Sequence, residues 1–159
     1  MHYARAMRSF LNLQSLMNVV RRVRHGMTLG VRVMAHDTDG RLLLVRHTYV
    51  AGWHFPGGGV DIGETAEAAA RRELQEEANV DVAGDLALAG LFFNPRVGGR
   101  DHVALFRAGQ ILAGPRPERN LEIVAADFFA YDALPEDVSP ATRRRLDEWR
   151  NGLPPAGTW

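Results

Sequence analysis

The chain has 159 residues, 46% hydrophobic and 24% charged, a composition that fits one soluble domain with a real core. Its 19 basic residues, all arginine, balance 19 acidic ones, which argues against a broad basic surface for a large nucleic acid; any nucleotide it binds should be small. Without cysteine it has neither a disulfide framework nor a zinc–thiolate site, in keeping with a cytoplasmic protein.

Residues 1–25 mix apolar side chains with arginines. Phe10, Leu13, Met17 and Val20 recur at helical spacing, Leu16 and Val23 widen the stripe, and Arg21, Arg22 and Arg24 crowd the C-terminal end, where cations suit the helix dipole. An amphipathic helix is expected, set apart from a domain over 26–159. Asn12, Gln14, Ser15 and Asn18 interrupt the apolar run, which disfavours a secretory leader, and the segment is too short and polar to be a transmembrane helix. Its stripe needs a cover: the domain itself or a second copy, a homodimer being favoured, with a basic membrane-surface helix as the alternative.

Thr28 to Ala35 alternates loosely and reads as a strand, Asp37 to Gly40 as a turn and Leu42 to Val45 as a buried strand, together a hairpin. Pro56 followed by Gly57, Gly58 and Gly59 excludes helix and lets the backbone approach a ligand closely. Good helix formers then run from Thr65 to Ala78, with Glu64 and Glu67 in or beside the first turn. Leu86 to Phe93 and His102 to Ala108 read as strands around a loop at 94–100. Leu121 to Tyr131 is a further apolar segment, and Ser139-Pro140 opens a terminal helix that closes near Gly152. Strands on both sides of one central helix imply an α/β domain with a mixed sheet.

On the central helix Glu73, Glu76 and Glu77 stand at i, i+3 and i+4 and span an arc of about 100°. Three carboxylates on one face repel one another, so the pattern does not serve helix stability. A divalent cation reverses the sign, and oxygen donors without histidine or cysteine suit Mg²⁺ or Mn²⁺. Arg-Glu-Leu-Gln-Glu-Glu on its own is an ordinary solvated helix face; its position behind the glycine turn is what makes it a metal and phosphate site.

From Gly58 the spacing is five residues to Glu64, seven more to Arg72, then Glu73, Glu76, Glu77 and Val80, with Trp53-His54-Phe55-Pro56 leading in. This resembles the signature box of the Nudix hydrolases, which cleave nucleoside diphosphates linked to another moiety. Asn79 stands where the family usually has glycine, and asparagine is the next best residue for a left-handed helix end. The Leu42 to Arg46 strand and the Phe128 to Pro135 run look like further landmarks, so the likeness covers roughly residues 28–148 and leaves out the N-terminal helix. It implies an α/β/α sandwich with the box packed on a mixed sheet.

The resemblance further implies Mg²⁺ or Mn²⁺ on Glu73, Glu76 and Glu77, with the backbone carbonyl of Gly57 as a further ligand, and in-line attack of water on phosphorus. Arg72 and Glu64 look like an ion pair anchoring the box alongside Gly58. For the general base, relatives use a box glutamate or an acid on a later loop; Glu122 ranks first, with Asp101 and Glu118 also available, and a catalytic His102 is disfavoured. Arg46, Arg96 and Arg100 are candidate phosphate grips, and Asp101 follows them in a loop suited to substrate. Asn94-Pro95 with Gly98-Gly99 faintly resembles the loop of the ADP-ribose and ADP-sugar branch, which makes a nucleotide sugar the favoured substrate. Nucleoside triphosphates and dinucleoside polyphosphates stay open. A silent nucleotide sensor is disfavoured, because every acidic box position is present.

Overall fold

The computed structural model describes residues 26–113 and 121–159. The expected helix over 1–25 and Glu118 lie outside the described residues. Among the described residues six strands and two α-helices follow in chain order: β1 Thr28–Met34, β2 Leu42–His47, β3 Trp53–His54, α1 Ala66–Ala78, β4 Val80–Asn94, β5 Asp101–Ala113, β6 Ile123–Phe129 and α2 Pro140–Arg150. One sheet has the order β1-β5-β4, with β1 parallel to β5 and β4 antiparallel to it; the other has the order β3-β2-β6 and is antiparallel throughout.

Period-two alternation along the strands makes two cores. Val31, Val33, Leu43, Val45, Ala104 and Phe106 pack with Ala69, Ala70, Leu74 and Ala78 of α1. Their neighbours Met34, Leu42, Leu44 and Leu105 point to the other side and meet Phe55, Phe92, Val138 and Leu146 of α2. The layers are therefore α1, sheets, α2: an α/β/α arrangement with a mixed sheet.

The expected β1–β2 hairpin is corrected. The chain does turn at Asp37–Gly40, but β1 and β2 enter different sheets, and their backbones bond among the described residues where His36 bridges Leu42 and Leu43 N donates to Ala35 O. The reason is that both edges of β1 are taken. One carries β5 in register from Thr28↔Asp101 to Met34↔Arg107. On the other, Val31 N donates to Gly58 O, Val33 N to Pro56 O, and Val60 N to Leu29 O, at 2.8–2.9 Å. The glycine turn thus completes β1, and this joint fixes the box against the sheet.

Helix α1 is closed at both ends by its own sequence. The Thr65 hydroxyl accepts from Ala68 N at its start, and Asn79 ends it at φ 52° with its N–H on Gln75 O and Leu74 O. In α2, Ser139 caps the start and Pro140 occupies the first turn. Beyond α2 the chain returns along the first sheet: Phe93 N donates to Gly157 O and Trp159 N to Phe93 O. Arg145, 2% exposed, holds this tail through Nη1 to Thr158 O at 2.7 Å and lies 4.4 Å over the Phe92 ring.

Candidate active site

Gly57 and Gly58 are glycine for separate reasons. Gly57 has φ 144°, and a Cβ there would lie 2.1 Å from Val31 O; a Cβ on Gly58 would lie 2.4 Å from Glu73 Oε1. The first glycine lets the turn reach β1, and the second makes room for a carboxylate. Gly57 N in turn donates to Glu77 Oε2 at 2.8 Å.

Arg72 is the hub on the solvent side. It donates to Glu64 Oε1 at 2.8 Å, to Glu73 Oε1 at 2.7 Å, to Glu76 Oε2 at 3.2 Å and to Gly59 O at 3.0 Å. Glu64 accepts from Asp61 N as well, so the loop closes on itself. Two hydrogen bonds and a cation hold the Glu64 carboxyl below its usual range, the Arg72 bond contributing most.

Glu73, Glu76 and Glu77 line one cleft of about 360 Å³, together with Leu121, Glu122 and Ile123. The sequence brings the last three here by way of β6 and the turn before it, where Thr48 N donates to Glu122 O at 2.9 Å. Burial pushes the Glu73 carboxyl up, against the pull of Arg72. Burial pushes Glu77 up to about 8, with the Gly57 N–H and Arg32 opposing. His47 Nδ1 lies 3.5 Å from Glu77 Oε1, yet burial, followed by Arg32 and His54, lowers its imidazole to about 4. Burial thus disfavours charge on both partners of this contact.

Among the described residues, no three histidine or acidic side chains are grouped closely enough to hold an ion as they stand. Glu73 and Glu76 are turned onto Arg72, and Glu77 onto Gly57 N. The donor set nevertheless fits a hard divalent cation: three carboxylates on one cleft wall, two of them held up in pKa by burial, and a glycine that leaves space beside Glu73.

Other expected site residues are not brought to this cleft wall. Arg46 pairs with Asp137 and lies 5.1 Å over the Trp53 ring, on strand β2 opposite Trp53. Asp101 is buried, with one carboxylate oxygen taken by the Thr28 hydroxyl at 2.7 Å and the other by Asn94 Nδ2 at 2.8 Å. That leaves it tying three strand ends together, a poor place for a general base or a substrate grip. Arg96 and Arg100 are exposed on the β4–β5 loop, where Thr28 N donates to Arg100 O.

Two residues near Glu77 escaped sequence reasoning. Arg32 donates to Phe55 O at 2.9 Å, its guanidinium pulled down by burial and sustained by Glu77, and His47 is described above. The signal was there: an arginine between Val31 and Val33 in a buried strand needs an acidic neighbour.

An acid-faced helix clasped to a glycine turn, with oxygen donors lining the cleft, suits a metal-assisted phosphate enzyme. The chain belongs to the Nudix family, whose domain model matches residues 26–149. It is 50% identical over 129 residues, 77% of this chain and 69% of the other, to an RNA pyrophosphohydrolase of Caulobacter vibrioides. Its fold matches a MutT NUDIX hydrolase from Burkholderia pseudomallei with TM-score 0.64 at 27% identity, over 76% of this chain and 95% of that one. It also matches an ADP-ribose pyrophosphatase from Streptococcus suis with TM-score 0.57 at 25% identity, over 72% and 81%. Nudix hydrolases generally use divalent cations.

Proposed function

We propose that the chain hydrolyses the pyrophosphate of a nucleoside diphosphate joined to a sugar or similar group, on the cleft wall formed by Glu73, Glu76 and Glu77. The observation that carries this reading is that Glu122, 45 residues beyond Glu77 in sequence, lines the same cleft. Mg²⁺ or Mn²⁺, held by the three carboxylates with the Gly57 carbonyl, would supply charge neutralisation on the phosphates and a more acidic water. Glu122 takes the proton of the attacking water. Arg72 keeps the box loop on the helix through Glu64, and Gly57 N aims Glu77. Arg32 and His47 neighbour Glu77, the arginine as its nearby positive charge.

The sugar end would lie toward the β4–β5 loop. Thr28 pairs with Asp101, and three residues along β1 Val31 N meets Gly58 O. At about 3.3 Å per residue that is about 10 Å, within the span of a dinucleotide-sized ligand. Arg96 and Arg100 are then the residues to contact it. A second reading, a nucleoside 5′-triphosphate or a dinucleoside polyphosphate, is favoured by the likeness to an RNA pyrophosphohydrolase.

A hydrolysis screen with Mg²⁺ and Mn²⁺ and product identification tests both. ADP-ribose should give AMP and a sugar phosphate, Glu122→Gln should lower kcat about a hundredfold, and Arg100→Ala should raise KM more than it lowers kcat. Inert nucleotide sugars beside rapid release of pyrophosphate or phosphate from a triphosphate would replace the first reading with the second.

A further inference from the structure

A hollow of about 490 Å³ lies on the α1 side of the first sheet, beyond the N-terminal end of that helix, and its lining is almost entirely apolar. Met27, Leu29, Ala66, Leu88, Leu91 and Phe106 form its walls. Four of them are more exposed than a core position allows: Met27 72%, Leu88 60%, Leu91 58% and Leu29 37%. Leu88 and Leu91 share this face because of an irregularity in β4. Leu88 pairs with Phe106 and Leu91 with Ala104, the register shifting between Leu88 and Gly90, so residues three apart point the same way. The bulge builds an apolar shelf where strict alternation would have turned one leucine away.

We propose that this hollow is the dock for residues 8–23 of the same chain. Three observations choose that occupant. Met27 is itself part of the wall, so the preceding segment leaves from the rim of the hollow. Only Arg24, His25 and Gly26 separate them, and Gly26 lets the chain reverse tightly. Finally, Phe10, Leu13, Met17 and Val20 form a stripe about 80° wide at 100° per residue, with Ser15 opposite. Sixteen residues would span about 24 Å as a helix, enough to cross the sheet. Tethering by three residues raises the effective concentration to about the millimolar range or above, which favours the segment over a second copy at ordinary protein concentrations. Docking there covers Ala66, the first residue of the box helix, and so links the N-terminal segment to the element that carries the glutamates.

The chain has no cysteine, so paired cysteines report the contact without background. In the full chain, Leu88→Cys is combined in turn with Leu13→Cys, Met17→Cys and Ser15→Cys, the hydrolase activity of each reduced variant serving as the check on folding. Mild oxidation should give a disulfide at monomer mass for the first two pairs, at least about fivefold faster than for the Ser15 pair. In a cysteine-free second variant, Leu88→Asp with Leu91→Asp should speed amide exchange across residues 8–23 about tenfold. A disulfide at dimer mass, equal rates at positions 13, 15 and 17, or no disulfide with the segment instead taken up by anionic phospholipid vesicles would each overturn the proposal.

Discussion

Gly57 and Gly58 sit next to each other and answer to different parts of the molecule. At Gly57 an added methyl meets the backbone of β1, which cannot yield, and φ 144° is itself costly for any other residue. Gly57→Ala should therefore lower the melting temperature by several degrees, about 2 kcal/mol or more. At Gly58 the methyl meets the end of the flexible Glu73 side chain. Gly58→Ala should melt within a degree or two of the parent while losing at least about tenfold in kcat, a split that thermal melts and initial rates resolve. Glu77 gives a pH signature. Its folded value is raised from about 4.5 to about 8, so in metal-free protein its contribution is fully present below 4.5 and is lost as pH rises through 8. Glu77→Gln keeps an acceptor for Gly57 N and has no proton to lose. In chelator it should match the parent near pH 4.5 and exceed it by about 1–3 kcal/mol near pH 8. His47 weakens the fold as pH falls from 6.5 toward 4, but equally in both proteins. A gap between the two melting curves that does not change with pH would remove Glu77 from this account.

At the scale of elements, α2 is more than a cover for the second core. Its Arg145 is buried against Phe92, bonded to Glu148 at 2.6 Å and to the tail carbonyl of Thr158. Arg145→Ala would strand Glu148 and release residues 156–159, at a cost of about 3 kcal/mol in urea unfolding. Deleting 156–159 should cost less, and the two together little more than the arginine change, because they remove the same contacts. None of this was legible in Asn151 to Trp159, which has no periodicity; the tail is ordered by a partner on another element. The two described helices, by contrast, were readable to within two residues at each end, since Thr65, Asn79, Ser139 and Pro140 are local stop and start signals. The β1–β2 pairing was misread because a strand's edge can be claimed by a loop, and no local pattern announces that Pro56 to Val60 will claim it. Glu122 and Asp101 look alike in sequence, each an acid beside an apolar strand. Only the packing of β6 against β2 puts one in the cleft, and only Thr28 and Asn94 take the other out of use.

For the molecule as a whole, the parallel pairing of β1 with β5 sets a long-range condition. Thr28 and Asp101 are 73 residues apart, and the box lies within that interval. Pairing strands so far apart closes a large loop before any contact rewards it, and the entropy of closure grows with the logarithm of its length. The glycine turn bonds to β1 on its far edge, but β1 has no sheet to belong to until β5 arrives. During synthesis from the N-terminus, all three box glutamates have therefore been made well before the surface that holds them exists. A fragment ending at Arg100 should show neither a cooperative melt nor any rise in thermal stability with Mn²⁺, while one that also includes β5, β6 and α2 should show both. The nascent chain cannot capture or cleave a nucleotide early, because the acid face, though complete in sequence, has nothing to be pressed against.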